Sequence, residues 1–207
     1  MAERIEHPCV QHKLALLRDA GTGHREFREL MTGITRLVCY EALKSLPTRD
    51  VRVRTPLAEA DCRMLDTELV IVPILRAGLG MVDGILDLVP EARVGFVGLY
   101  RDVATKEPVR YYESFPREIR GGTCIVVDPM LATGGSTVAA VDLLKKGGAS
   151  RVIVVCIVTC PEGLARVENA HPDVRIYAAA IDERLDANKY IVPGLGDAGD
   201  RLYGTSH

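Results

Sequence analysis

The residues best suited to chemistry lie in Cys124-Ile125-Val126-Val127-Asp128-Pro129-Met130-Leu131-Ala132-Thr133-Gly134-Gly135-Ser136-Thr137. An apolar strand runs into an acid, then a turn of small residues, then a helix. Thr133 to Thr137 would bring consecutive backbone N–H groups and hydroxyls to a helix N-terminus. There the unpaired donors and the dipole favour an anion such as a monophosphate. Asp128, at the strand end, is placed to accept hydrogen bonds from sugar hydroxyls, because an ionised carboxylate only accepts. Together they suit a ribose 5-phosphate. The competing reading is an ordinary helix capped by Thr or Ser.

A second feature is Val72-Pro73-Ile74-Leu75-Arg76-Ala77-Gly78-Leu79-Gly80. Arg76, at a strand's carboxyl end before small residues, can fork onto a diphosphate; the alternative is a surface arginine. Gly78, Gly80 and Gly84 miss the dinucleotide spacing by one place. The full match at Gly194-Leu195-Gly196-Asp197-Ala198-Gly199 lies too near the end of the sequence for the helix, strand and distal acid of a nucleotide-binding unit. That match is a decoy. Its surroundings, Tyr190 to Arg201, form a small-residue loop able to present backbone N–H and C=O groups to the edge of a flat heterocycle, or else a purely structural tail.

These groups need a frame. Apolar residues at Phe27, Leu30, Met31, Ile34, Leu37, Val38 and Ala42 predict a helix over 25–46, ended by Pro47. Runs rich in Val and Ile at 69–75, 94–99, 124–127, 152–158 and 174–181 read as buried strands. Helical stretches at 79–88, 137–146 (closed by Gly147-Gly148) and 161–171 separate most of them. The alternation predicts an α/β fold: a mostly parallel twisted sheet with helices on both faces, and a ligand site outside the strands' carboxyl ends. Residues 100–120 break the rhythm. They hold Arg101, Lys106, Arg110, Tyr111, Tyr112 and Arg117, allow a β-hairpin, and are long enough to be a functional cover or an oligomer contact.

The chain has 207 residues, which at ~150 residues per domain favours one domain over residues 1–207. With 26 basic and 28 acidic residues the net charge is −2, which offers no broad basic field for a nucleic acid. A composition 47% hydrophobic and 26% charged is that of a folded globular chain. No apolar run reaches the ~18 residues of a membrane span, and the acidic start lacks a signal core, so the expected location is the cytoplasm. Six scattered cysteines form no C-x-x-C and read as buried free thiols, and the five histidines make no metal-ligand cluster.

The segments at 128–136, 73–78 and 190–200, in this order and spacing, resemble the uracil branch of the type I phosphoribosyltransferase family. The broader family usually carries two adjacent acids at the head of the phosphate loop; here the second is Pro129, as in the uracil branch. The resemblance implies Mg²⁺-dependent transfer of ribose 5-phosphate from phosphoribosyl diphosphate to uracil, giving UMP and diphosphate. It assigns Thr133, Gly134, Gly135, Ser136 and Thr137 to the 5-phosphate, Asp128 to the ribose hydroxyls, and Arg76 and Arg101 to the diphosphate. Pro129, Met130, Leu131 and Ala132 complete the loop. Asp197 would lie near the ribosyl diphosphate and its magnesium, while Ile191, Gly196 and Ala198 would read uracil through their backbone. Magnesium would be held by diphosphate oxygens, with Asp197 as a further ligand, and by no protein cage. The segment around Arg101 would close over the diphosphate and exclude water. The amphipathic N-terminal helix and the long insertion suit a homodimer or larger homo-oligomer, and the resemblance also implies GTP as an effector, for which no segment supplies a site. Open alternatives are a phosphoribosyltransferase for another base, or a non-catalytic regulator of pyrimidine genes that binds UMP or the donor.

Overall fold

The computed structural model describes residues 2–101 and 108–205, with the side chains of all but Arg101 and Pro108 among them. In chain order, a short strand β1 (Ala2–Arg4) leads to helices α1 (Pro8–Arg18) and α2 (His24–Leu43). Strands β2 (Thr48–Arg54) and β3 (Glu59–Leu65) form a separate antiparallel hairpin before β4 (Leu69–Leu75) and α3 (Leu79–Leu86). Then come β5 (Arg93–Val94), β6 (Phe96–Arg101), β7 (Pro108–Ser114), β8 (Thr123–Val127), β9 (Met130–Leu131) and α4 (Gly135–Lys146). The remainder is β10 (Arg151–Thr159), α5 (Pro161–Ala170), β11 (Arg175–Ile181), a small antiparallel pair β12 (Arg184–Leu185) and β13 (Ile191–Val192), and α6 (Ala198–Tyr203).

The main sheet has the order β1-β11-β10-β8-β4-β6-β7, with β5 also on β4 and β9 also on β10. All its pairings are parallel except β6–β7. Buried strands explain the near-continuous Val and Ile runs: successive side chains leave opposite faces, and helices cover both. On one face Ile71, Ile125 and Ile153 pack with Leu14 of α1, Phe27 and Met31 of α2, Met81 and Ile85 of α3, and Leu202 of α6. On the other, Val70, Val72, Val126 and Val154 pack with Ala140, Val141 and Leu144 of α4 and Val167 of α5. The α/β architecture with a mostly parallel sheet and a hairpin insertion is therefore present.

Differences from the sequence reading have local causes. The expected strand over 94–99 is two pieces: the Gly95 N–H donates to Ile71 C=O at 2.9 Å, but the next donor position on β4 is Pro73, which has no N–H to continue the ladder. Helix α4 begins at Gly135, two residues earlier than the apolar pattern suggests. Strand β1, helix α1 and the β2–β3 hairpin were not anticipated. In that hairpin charged residues alternate with Val51 and Val53, every residue but Val51 and Ala60 is exposed, and Leu57 beyond β2 is 97% exposed. The thiols are only partly as expected: Cys39, Cys124, Cys156 and Cys160 are buried, but Cys9 sits on the exposed start of α1 and Cys62 on the exposed hairpin. Among the described residues no helix is long and apolar enough to cross a membrane.

Because Ile125 lies fully buried in the central β8, Ile125→Ala should lose about 2–5 kcal/mol of stability, the range for an unfilled core cavity. Urea unfolding of the two proteins measures this directly.

Candidate active site

Parallel strands deliver their carboxyl ends to one edge, and the loops after β4, β8 and β11 meet there. Behind Asp128 the chain is stitched to β10: the Asp128 N–H donates to Val155 C=O at 3.3 Å, and the N–H groups of Ile157 and Val158 donate to Pro129 C=O at 3.1 and 3.0 Å. Further along, the Thr159 hydroxyl donates to Leu131 C=O at 3.0 Å and the Cys160 thiol to Ala132 C=O at 3.2 Å. Helix α5 presses against the same loop. A Cβ on Gly163 would lie 2.4 Å from Ala132 O and 2.7 Å from Leu131 O.

The loop thus bonds its carbonyls rearward before turning into α4. The turn requires φ +76° at Gly134, a left-handed conformation in which glycine carries no penalty. As N-cap, Gly134 offers no side chain to occupy the first-turn donors of α4, so those N–H groups and the helix dipole remain suited to an anion. Thr137 and Leu131 are buried and Ser136 is half-buried. Leu131 is packed in the core, which leaves its backbone as the part available to a ligand.

Asp128 is half-buried at the wall of a cavity of about 360 Å³. Loss of water around the carboxylate pushes its pKa up to about 7, against a smaller downward pull from the Met130 N–H, 3.4 Å from Oδ1. Pro129, Met130 and Ala132 line the same cavity, and Ile191, Gly196, Asp197 and Ala198 from the C-terminal segment face them across it. Two groups predicted some sixty residues apart in the chain therefore share one space. Asp197 also caps α6, its Oδ1 accepting from Asp200 N–H at 2.9 Å.

Arg76 follows β4 across a cis Leu75–Arg76 peptide and is exposed. Its carbonyl accepts from the Tyr203 hydroxyl at 3.0 Å, and its guanidinium carbon lies 6.0 Å from the Tyr203 ring. Arg76 does not line the cavity; its neighbour Ala77 does. Arg101 ends β6, but its side chain, with Lys106 and residues 102–107 of the expected cover over 100–120, lies outside the described residues; within that cover 108–114 form β7. The residues Thr133 to Thr137 likewise sit beside the cavity and not in its lining.

Sequence reasoning assigned no role to Asn188 and Lys189, which with Tyr190, the first residue of the expected loop, line the cavity from the turn between β12 and β13. Asp186 Oδ1 holds that turn by accepting from the N–H groups of Asn188 and Tyr190, each at 2.8 Å. The Asp-Ala-Asn-Lys run was a turn signal without a chemical one. Glu162 at the start of α5 accepts from Leu185 N–H at 3.0 Å, a bond that also holds its carboxyl below the usual range. The glycine-rich decoy is a loop with φ +61° at Gly194 and +79° at Gly196, leading into the six-residue α6. No strand follows it among the described residues.

The described residues contain no group of three or more His, Cys, Asp or Glu able to hold a metal. Asp128 and Asp197 nevertheless supply hard oxygen donors to one cavity. That set fits a magnesium ion carried mainly by substrate oxygens with one or two carboxylates.

If the Asp128 carboxylate receives sugar hydroxyls, affinity for ribose 5-phosphate should rise as pH passes through about 7, and more steeply than in Asp128→Asn, which retains only the ligand's own titration. Calorimetric titrations between pH 6 and 8 read both. The raised pKa also sets a stability trend: the folded state holds the proton from about 3.8 to about 7, so over that interval the wild type should lose stability relative to Asp128→Asn as pH rises.

Residues 4–205 match the family model described as uracil phosphoribosyltransferase. A uracil phosphoribosyltransferase of Dictyoglomus thermophilum is 57% identical over 97% of this chain and 98% of its own length, and one of Symbiobacterium thermophilum is 56% identical over 97% of each. Among solved structures, the AQ2163 protein of Aquifex aeolicus superimposes with a TM-score of 0.95 at 39% identity, covering 100% of this chain and 99% of that one. A Staphylococcus aureus hypoxanthine phosphoribosyltransferase, 14% identical with a TM-score of 0.50 over 74% of each chain, shares the fold. The chain belongs to the uracil phosphoribosyltransferase family.

Proposed function

We propose that this member of the family transfers the 5-phosphoribosyl group from phosphoribosyl diphosphate to uracil, giving UMP and diphosphate. The observation that carries the reading is the single cavity joining Asp128 and the 129–132 loop to Ile191, Gly196, Asp197 and Ala198. A sugar bound at one wall then meets a base bound at the other, converting a bimolecular encounter into an oriented one.

In the reaction the anomeric C–O bond to diphosphate breaks and a bond from the sugar to a ring nitrogen of uracil forms, with loss of that nitrogen's proton. Positive charge develops on the ribose and negative charge on the leaving diphosphate. Catalysis accordingly rests on positioning and placed charge, and no side-chain nucleophile is needed. Residues 133–137 at the start of α4 hold the 5-phosphate, the Asp128 carboxylate takes the ribose hydroxyls, and Arg76 and Arg101 take the diphosphate. Magnesium, when bound, neutralises part of the diphosphate charge; Asp197 is the carboxylate assigned to it. The backbone of Ile191, Gly196 and Ala198 reads the acceptor–donor–acceptor edge of uracil. Cytosine reverses two of those polarities, which would leave buried backbone groups unpaired and should make it a poor substrate.

Two further properties accompany the reading. The β2–β3 hairpin, with Leu57 almost wholly exposed at its tip, supports a homo-oligomer in which that apolar tip is covered. The buried, unpaired thiols of Cys39, Cys124, Cys156 and Cys160 accord with a cytoplasmic location, where thiols stay reduced.

Purified protein supplied with uracil and phosphoribosyl diphosphate should yield UMP by chromatography, and chelation of magnesium should abolish it. Absence of UMP with magnesium present overturns the proposal, and the same assay with GTP added reads whether turnover responds to that nucleotide. Arg76→Ala should raise the donor KM by about 10- to 150-fold, equivalent to the ~1.5–3 kcal/mol of a charge-assisted hydrogen bond. An unchanged KM and rate would remove Arg76 from the diphosphate site.

A further inference from the structure

Gly194 to Leu195 connects the cis Val192–Pro193 peptide to the cavity-lining Gly196 and Ala198, and its peptide groups are held from outside the cavity. Asp182, just past the end of β11, is buried, its side chain 6% exposed. Its own N–H donates to Thr159 C=O at 2.7 Å, fixing it to the end of β10. Arg18, the last residue of α1, grips the carboxylate with both terminal nitrogens, Nη1 at 2.7 Å from Oδ2 and Nη2 at 2.6 Å from Oδ1. The same Nη1 donates to Gly194 C=O at 2.6 Å, while Gly194 N–H donates to Asp182 Oδ2 at 2.8 Å. Both polar groups of Gly194 are thus claimed by one ion pair.

The next residue is held in the same way. Arg201 Nη1 donates to Leu195 C=O at 2.9 Å, and its Nη2 donates to Asp19 C=O at 2.5 Å, so it returns to the residue that follows Arg18. Its guanidinium carbon lies 4.5 Å over the Phe27 ring, which confines it. The contacts close a ring from Arg18 through Gly194, Leu195 and Arg201 back to Asp19. Neither Arg18 nor Asp182 lines the cavity.

We propose that Arg18 and Asp182 are positioning residues for base recognition: by fixing the N–H and C=O of Gly194 against the end of α1, with Arg201 holding Leu195 C=O, they aim the backbone of Gly196 and Ala198 at the uracil edge. The role rests on the proposed activity. A base read by backbone groups depends on loop placement to a fraction of an ångström, because no flexible side chain can compensate. The fork geometry matters as well as the charge, since one guanidinium serves two carboxylate oxygens and a carbonyl at once, which a lysine ammonium cannot match.

The test is steady-state kinetics of UMP formation by the wild type and Arg18→Lys, with each substrate varied in turn. Arg18→Lys should raise the KM for uracil about 10- to 100-fold, as expected for misplacement of a binding group, with the donor KM and kcat within about threefold of wild type. Arg201→Lys, which leaves the buried carboxylate paired, should shift the uracil KM in the same direction and provides the measurement if Arg18→Lys does not fold. An unchanged uracil KM, or a rise shared equally by both substrates as a general structural defect would give, overturns the positioning role. A wild type that forms no UMP rejects the activity, and the role with it. A wild type that forms UMP beside variants with unaltered uracil KM rejects the role alone.

Discussion

A loop that binds phosphate must expose backbone N–H groups to its ligand, yet it cannot leave its own carbonyls unsatisfied where protein packs against them. Here the carbonyls of Pro129, Leu131 and Ala132 are met from behind by β10 and by Thr159 and Cys160. The first turn of α4 is left for an anion. Most other features of the site follow from this one-sided arrangement. Gly163 must lack a side chain so that α5 can approach, Gly134 must take a left-handed turn, and Asp128 must lie where the loop leaves the sheet.

The position of Asp128 has its own electrostatic cost. Desolvation brings its pKa close to neutrality in the free protein, whereas bound hydroxyl donors stabilise the ionised form. A sugar bound there, as proposed, would therefore couple its binding to proton release. The facing wall carries Lys189 and Asp197, and between them glycines and a capped short helix hold peptide groups in fixed directions. Such a wall suits a neutral heterocycle recognised by hydrogen-bond polarity.

Elements that bury residues on both faces were readable from composition and run length. The strands at 69–75 and 124–127 stand within a residue of the expected limits. The helix at 24–43 follows the 3.6-residue spacing of Phe27, Leu30, Met31, Ile34 and Val38. Elements that bury little left no such pattern. The residues Thr48 to Arg54 alternate charge with small apolar groups that stay at the surface, and the three residues of β1 are too few to show a period. Asn188 and Lys189 reach the cavity only because the Asp186 carboxylate folds their turn, and a turn signal does not say what the turn will face.

The order of residues alone determined which local groups exist: an acid at a strand end, a glycine-bearing helix start, an arginine after β4, and a rigid C-terminal loop. Each is a short-range consequence of propensity, capping and turn chemistry. Tertiary structure decided that Asp128 and the loop from Ile191 to Ala198 enclose one space, and that Arg18 holds Gly194 from the far end of the chain. Those contacts depend on sheet order and on which helix ends reach the carboxyl edge. No local pattern encodes that, because the pairing of distant segments is set by the packing of the whole core.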